Sequence, residues 1–222
     1  MEEKRNFKAY IQVLIVCLFL VLIAVIEEVY LENYYVKKFI DFPYELSKID
    51  LALFPFINKG LTSYPLDVFF GIVTHIGSTI FWLIFSIMLW ARNKKNEAIL
   101  LAIAIIIGGI VLLPIKLFLP RARPYQVMNE VRTLDIEWGS SFPSGHAKNA
   151  FSAAVILSDK YPKWRLVSYA LAIVVSFSRI YVGVHWPMDV VVGAFVGWAL
   201  GIMVLRLEKR ILGCLNILKF DL

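Results

Sequence analysis

The sequence predicts an all-α integral membrane protein whose transmembrane helices form one bundle. Of its 222 residues, 59% are hydrophobic and 18% are charged, whereas soluble domains carry about a quarter charged residues. The mean hydropathy is +0.71. The apolar residues fall into long runs, several near the roughly 20 residues that a helix needs to cross a bilayer. We therefore interpret residues 1–222 as a single integral-membrane domain.

Six apolar runs are candidate transmembrane helices. The acidic pair Glu27 and Glu28 follows the first run in place of the small residues of a signal-peptide cleavage site, so we expect a retained anchor. Residues 29–65 mix aromatic rings with scattered charges and predict short helices at the outer water–lipid boundary. The six predicted spans are residues 9–26, 66–90, 98–119, 143–158, 166–181 and 187–205.

Lys and Arg residues in the connecting segments predict the orientation. They cluster at the N-terminus, after the second and fourth spans, and behind the sixth, which puts every cluster on one side of the membrane. By the positive-inside rule this side is cytoplasmic, as are both termini. The net charge of +6 is therefore mostly a topology signal, and we expect no nucleic-acid partner because the basic residues form no stripe on one soluble element.

This topology predicts a polar site at the extracytoplasmic ends of helices 3 to 6. Odd-numbered helices end on the outer face and even-numbered helices begin there, so motifs distant in sequence meet at one depth. Ionisable groups near a bilayer are costly and are therefore expected to be functional. A structural ion pair between helices is the alternative for the stretch 179–189. The residues that meet are Lys116, Arg123, Ser144, Gly145, His146, Arg179, His185 and Asp189.

Three cations facing the start of a helix predict a phosphate site. Arg side chains bind oxyanions with a planar fork, and the amides of Ser144, Gly145 and His146 should point into the site at the positive end of the fourth helix, which we expect to begin at Pro143. Asp189 is the one acid in these motifs, whereas divalent-metal phosphate sites need several carboxylates. Zinc held by two His and one Asp is an alternative that the neighbouring cations oppose.

The presence of two His residues in a phosphate site predicts that each has a different catalytic role. His185 and Asp189 are four residues apart, so a helix covering both puts them on one face, where the carboxylate can orient the imidazole. We interpret His185 as the nucleophile and His146 as the general acid. The three cations would stabilise the equatorial oxygens of the transferring phosphoryl group.

These motifs resemble the three-part signature of the type 2 phosphatidic acid phosphatase family. Six residues separate Lys116 from Arg123-Pro124, Pro-Ser-Gly-His occupies 143–146, and Ser178-Arg179 is followed by His185 and Asp189. The signature covers residues 116–189. The resemblance implies dephosphorylation of a lipid phosphate through a phosphohistidine on His185, without a metal or other cofactor.

The resemblance and the outer-leaflet depth favour a polyprenyl diphosphate, such as undecaprenyl diphosphate, as the substrate. A phosphatidylglycerophosphate or phosphatidate phosphatase is the alternative. A transporter with an anion site is the non-enzyme alternative, although transporters place such charges near the midplane. The residues do not distinguish a monomer from a homodimer.

Four further features carry expectations of their own. His75 lies inside the second predicted span, where a packing role is favoured over contact with the site. Lys148 should point away from His146 and reach a headgroup or the interface. Trp138 should anchor the outer loop at the interface. Glycines spaced by four residues should pack the sixth helix closely within the bundle; they are Gly193, Gly197 and Gly201.

Overall fold

The computed structural model describes residues 42–217. All regular secondary structure in this range is helical. The predicted span at 9–26 and the beginning of the aromatic segment at 29–65 lie outside these residues. The α-helices of the described range are α1 (Tyr44–Pro55), α2 (Tyr64–Val73), α3 (Thr79–Ala91), α4 (Lys95–Phe118), α5 (Pro124–Val127), α6 (Gly145–Lys160), α7 (Arg165–Tyr181), α8 (Pro187–Arg206) and α9 (Glu208–Ile217). A π-helical turn covers Phe56–Gly60, and 3₁₀ turns cover Thr74–Gly77 and Pro162–Trp164.

Two of the described helices, α4 and α8, are long and apolar enough to cross a membrane, and they match the third and sixth predicted spans. A third crossing is present if α2 and α3, which are bent by 65° at their junction, count as one span. Helices α6 and α7 contain 16 and 17 residues, or about 24–26 Å of helix. They cover the fourth and fifth predicted spans but are shorter than the bilayer core, so the count of six stays a prediction.

The second predicted span, residues 66–90, is not one continuous helix. The helix breaks at Thr74–Gly77, and Ser78 then caps α3 by accepting a hydrogen bond from the amide of Phe81 at 3.1 Å. The chain packs closely at this break, because a Cβ added to Gly77 would lie 2.7 Å from Cδ2 of His146. His75 is exposed in this turn, so the expected packing role was wrong.

Helix α6 lies at the centre of the bundle and packs against α4, α7 and α8. Its contact with α8 is nearly backbone to backbone. A Cβ on Gly193 would lie 2.4 Å from the carbonyl oxygen of Ser144, and one on Gly197 would lie 2.1 Å from that of Lys148. The predicted close packing of the sixth helix within the bundle is confirmed. This contact fixes the starts of α6 and α8, which both carry site residues.

Lys148 lies inside the bundle, and the expectation that it reaches the interface was wrong. It is 2% exposed, and its Nζ donates to the carbonyl oxygen of Ile105 at 3.1 Å. Its aliphatic chain crosses α4 at Gly108, where an added Cβ would lie 2.6 Å from the Lys148 Cδ. Lys148 therefore joins α6 to α4 below the site.

Candidate active site

His185 lies in the short connection between α7 and α8, and Asp189 lies in the first turn of α8. They meet although His185 precedes the helix, so the expectation that one helix carries both was wrong. Asp189 Oδ2 instead accepts a hydrogen bond from the amide of Trp186 at 2.9 Å, which caps α8. The same oxygen lies 3.5 Å from His185 Nδ1, an ion-pair distance that is long for a hydrogen bond. Both side chains are at most 1% exposed.

Asp189 is also held from behind by a second ion pair that the sequence did not predict. Arg121 Nη1 donates to Asp189 Oδ1 at 2.7 Å, and Nη2 donates to Asp50 Oδ2 at 2.5 Å. The other Asp50 oxygen accepts from the amide of Met188 at 2.8 Å. Helix α1 thus reaches the site through Asp50, and the buried guanidinium links two buried carboxylates.

The predicted cations Arg123 and Arg179 are both buried beside His185. Arg123 Nη1 lies 3.3 Å from His185 Nε2 and donates to the carbonyl oxygen of Val184 at 3.0 Å. Arg179 Nη1 donates to the hydroxyl of Thr74, in the turn that interrupts the second predicted span. The break between α2 and α3 therefore supplies one wall of the site.

Lys116 lies in the last turn of α4 and is 9% exposed. The helix ends at Phe118, one residue before the predicted end of the third span. Lys116 carries its positive charge near His146, so it lies at the same end of the bundle as the two arginines.

The start of α6 differs from the prediction in two ways. The helix begins at Gly145 instead of Pro143, because Ser144 is the N-cap and its hydroxyl accepts from the amide of Ala147 at 3.5 Å. The Ser144 amide donates to the backbone carbonyl of Asp189 at 3.0 Å, so it does not point into the site as expected. Gly145 and His146 occupy the first two helical positions, whose amides have no partner within a helix.

Glu137, which the sequence did not predict as a site residue, joins the cations and both histidines. Its Oε2 lies 2.9 Å from Arg123 Nη1 and 3.3 Å from His185 Nε2. Its Oε1 contacts Arg179 and lies 3.3 Å from His146 Nδ1. One carboxylate therefore contacts four of the predicted site residues.

The charges around Glu137 outweigh the effect of its burial. Burial alone would raise the pKa of this carboxyl, but Arg179 and Arg123 hold the pKa well below its usual value, with smaller contributions from His146 and His185. The carboxylate therefore stays ionised at neutral pH, and the pocket around it stabilises a negative charge.

A profile of the PAP2 superfamily matches residues 97–212, about half of the chain. The chain belongs to the PAP2 superfamily. The resemblance predicted from the signature motifs is confirmed, and within this family the protein is a lipid phosphatase, as its relatives are named.

Relatives and solved structures of this PAP2 phosphatase agree with that assignment. It is 28% identical over 163 residues to an undecaprenyl-diphosphatase of Sulfolobus acidocaldarius. The aligned region covers 72% of this chain and 79% of the relative. It is similar to the crystal structure of Aquifex aeolicus LpxE, with 32% identity and a TM-score of 0.65, covering 70% of this chain and 94% of that one. A transmembrane PAP2-type phosphatidylglycerolphosphate phosphatase from Bacillus subtilis shares the fold, with 22% identity, a TM-score of 0.66 and coverage of 87% and 96%.

Proposed function

We propose that this PAP2 phosphatase hydrolyses a polyprenyl diphosphate, such as undecaprenyl diphosphate, to the monophosphate through a phosphohistidine and without a metal ion. The observation that carries the proposal is the set of contacts around Glu137. Two arginines and two histidines converge on one carboxylate, so the pocket holds an anion with arginine donors and places an imidazole against it. The undecaprenyl-diphosphatase relative, matched over most of its length, supports the choice of substrate.

The nucleophile in this proposal is His185. Its Nε2 lies 3.3 Å from an oxygen of the Glu137 side chain, so a phosphoryl group that took the place of this carboxylate would lie within reach of the imidazole. Nε2 attacks phosphorus while the bond from phosphorus to the leaving oxygen breaks, and His146 donates its proton to that oxygen. His146 then removes a proton from water, the water oxygen attacks the phosphohistidine, and the phosphorus–nitrogen bond breaks to release inorganic phosphate.

The remaining site residues stabilise charge and hold the nucleophile. Arg123, Arg179 and Lys116 would contact the equatorial oxygens, where charge is greatest in the transition state. Asp189 keeps the proton of His185 on Nδ1 and stabilises the imidazolium. We expect the 3.5 Å separation between His185 and Asp189 to shorten in the substrate complex, as catalytic hydrogen bonds commonly do.

The position of the site suits a substrate that stays in the membrane. The site lies where α4 and α7 end and where α6 and α8 begin, and the distribution of Lys and Arg predicts that this is the outer face. A lipid phosphate held at headgroup depth would reach it with its chains among apolar helix surfaces. Exposed side chains there include Phe118, Leu119 and Val127.

Phosphate release by the detergent-purified protein tests this proposal. The substrates are undecaprenyl diphosphate, phosphatidylglycerophosphate, phosphatidate and a soluble phosphate ester, all with chelator present. We expect preferential release from the diphosphate, complete loss of release in His185→Ala, and an acid-labile phosphoenzyme in the wild type. Preference for a glycerolipid would replace the substrate and keep the mechanism. A strict metal requirement would contradict the mechanism, and no release from any substrate would favour an anion transporter.

A further inference from the structure

In the outer loop, the side chains of residues 134–138 point alternately toward the site and away from it. Asp135 and Glu137 point to the cations, and Asp135 Oδ2 lies 3.1 Å from Arg179 Nη1. Leu134, Ile136 and Trp138 are exposed, with Ile136 at 67% and Trp138 at 68%. This alternation is that of an extended segment, here with an acidic inner side and an apolar outer side.

The Glu137 carboxylate contacts the groups that the proposed function assigns to the substrate phosphate. Both Glu137 oxygens are used, one toward Arg123 and His185 and the other toward Arg179 and His146. A phosphoryl group that reaches His185 Nε2 would have to take the same donors. Two anions in one buried pocket repel each other strongly, so the carboxylate and the phosphate cannot occupy it together.

We propose that Glu137 is an internal competitor for the phosphate position, which substrate displaces and which returns as product leaves. This inference rests on the proposed function, because it takes the Glu137 pocket to be the phosphate pocket. It makes Glu137 a determinant of apparent substrate affinity. When a site is open for only a fraction of the time, the apparent dissociation constant of its ligand equals the intrinsic constant divided by that fraction.

The backbone contacts of the loop indicate which part of Glu137 moves. The Leu134 amide donates to the carbonyl oxygen of Val182 at 3.0 Å, and Arg123 Nη2 donates to that of Trp138 at 2.9 Å. The Tyr125 hydroxyl donates to the carbonyl oxygen of Glu137 itself. These bonds hold the backbone on both sides of Glu137, so displacement is a rotation of its side chain. Arg123 keeps its bond to Trp138 during this rotation and stays aligned for phosphate.

Binding of inorganic phosphate and of orthovanadate to the purified, full-length protein tests the competition without requiring turnover. Glu137→Gln keeps the size of the side chain but removes its charge, and we expect it to bind both anions on the order of tenfold more tightly than the wild type. Glu130→Gln is the matched control: Glu130 lies in the same loop and pairs with the exposed Lys59 at 2.8 Å. It should bind as the wild type does.

Glu137→Asp separates competition from a general effect of charge. It keeps the negative charge, but with the backbone held it is one methylene too short to reach both arginines and both histidines. Tighter anion binding by Glu137→Asp than by the wild type supports competition. If Glu137→Asp bound the anions with wild-type affinity while Glu137→Gln bound them tightly, competition would be overturned. The effect of Glu137 would then come from its negative charge acting at a distance.

The remaining outcomes separate this inference from the proposed function. Equal anion binding by all four proteins would overturn the competition and leave the phosphate site in place. Weaker binding by Glu137→Gln would make Glu137 part of the phosphate site. If neither anion bound any of the proteins, the proposed function and this inference would both fail.

Discussion

The side-chain carboxylate of Asp189 makes three contacts, and each contact has a different structural role. Its bond to the Trp186 amide caps α8, its ion pair with Arg121 connects it to Asp50, and its Oδ2 faces His185. A carboxylate held on two sides cannot rotate away from the imidazole. We therefore expect Arg121 to act on catalysis through Asp189, as a positioning residue.

Arg121→Lys tests this positioning role. The guanidinium bridges Asp50 and Asp189 with two different nitrogens, and a lysine ammonium cannot reproduce that fork. We expect kcat to fall at least tenfold while KM changes little, because the variant would misplace the proposed nucleophile His185 and leave the proposed phosphate-binding cations intact.

The control for Arg121→Lys is Arg132→Lys. Arg132 also pairs with an aspartate, Asp67, at 2.7 Å, but this pair is partly exposed. It should leave kcat near the wild-type value. A rise in KM at constant kcat in Arg121→Lys would instead place Arg121 in substrate binding.

At the residue scale, the sequence predicted the groups that belong to spaced motifs and not those that the fold adds. His185, Asp189, Arg123 and Arg179 stand at fixed spacings around helix ends, so topology alone brought them together. Glu137 lies in a loop, and its inward direction depends on the extended backbone of residues 134–138. The alternation of acidic and apolar residues there was a signal that could have been read.

At the scale of elements, the close contact between α6 and α8 positions two halves of the site. The Ser144 amide donates to the Asp189 carbonyl at 3.0 Å, and the Ser152 hydroxyl donates to the Gly197 carbonyl at 3.0 Å. Glycine permits this approach because no side chain separates the backbones. A larger residue would push apart the helix carrying His146 and the helix carrying Asp189.

Gly197→Ala tests that contact. The added Cβ would lie 2.1 Å from the Lys148 carbonyl oxygen, and a clash with backbone cannot be relieved by a rotamer change. We expect a loss of about 1–3 kcal/mol in the free energy of unfolding, seen as a lower thermal midpoint in detergent, together with reduced phosphate release.

Gly71→Ala is the control for Gly197→Ala. Gly71 is also helical, in α2, and an added Cβ there meets nothing within 4 Å. Alanine has the higher helix propensity, so the midpoint should hold or rise. An unchanged midpoint in Gly197→Ala would mean that the two helices can separate without cost.

The elements themselves were predicted where hydropathy was sufficient and missed where packing decided. Helices α4 and α8 agree with the prediction within a few residues because their apolar runs are long. The hydropathy of the second apolar run gives no sign of the break at Thr74–Gly77. At this break Gly77 packs on His146 and Thr74 accepts a hydrogen bond from Arg179, and these tertiary contacts are not recorded in the hydropathy.

At the scale of the whole molecule, the site and the basic turns lie at opposite ends of the helices. Lys94 precedes α4 and Lys95 is its first residue, whereas Lys116 lies in the last turn of the same helix. At the end of α6 away from the site, Lys160 pairs with Glu208 at 2.6 Å. If the basic turns are cytoplasmic, Glu137 and its loop face the outside.

Cysteine labelling in intact cells tests this orientation. In a background with Cys17 and Cys214 replaced by serine, we expect Glu130→Cys in the outer loop to react with a membrane-impermeant maleimide added from outside. Asn93→Cys in the basic turn should react only after the cells are permeabilised. Phosphate release by both variants verifies that they are folded. The reverse pattern would put the site on the cytoplasmic face, where the same chemistry would act on lipid phosphates of the inner leaflet.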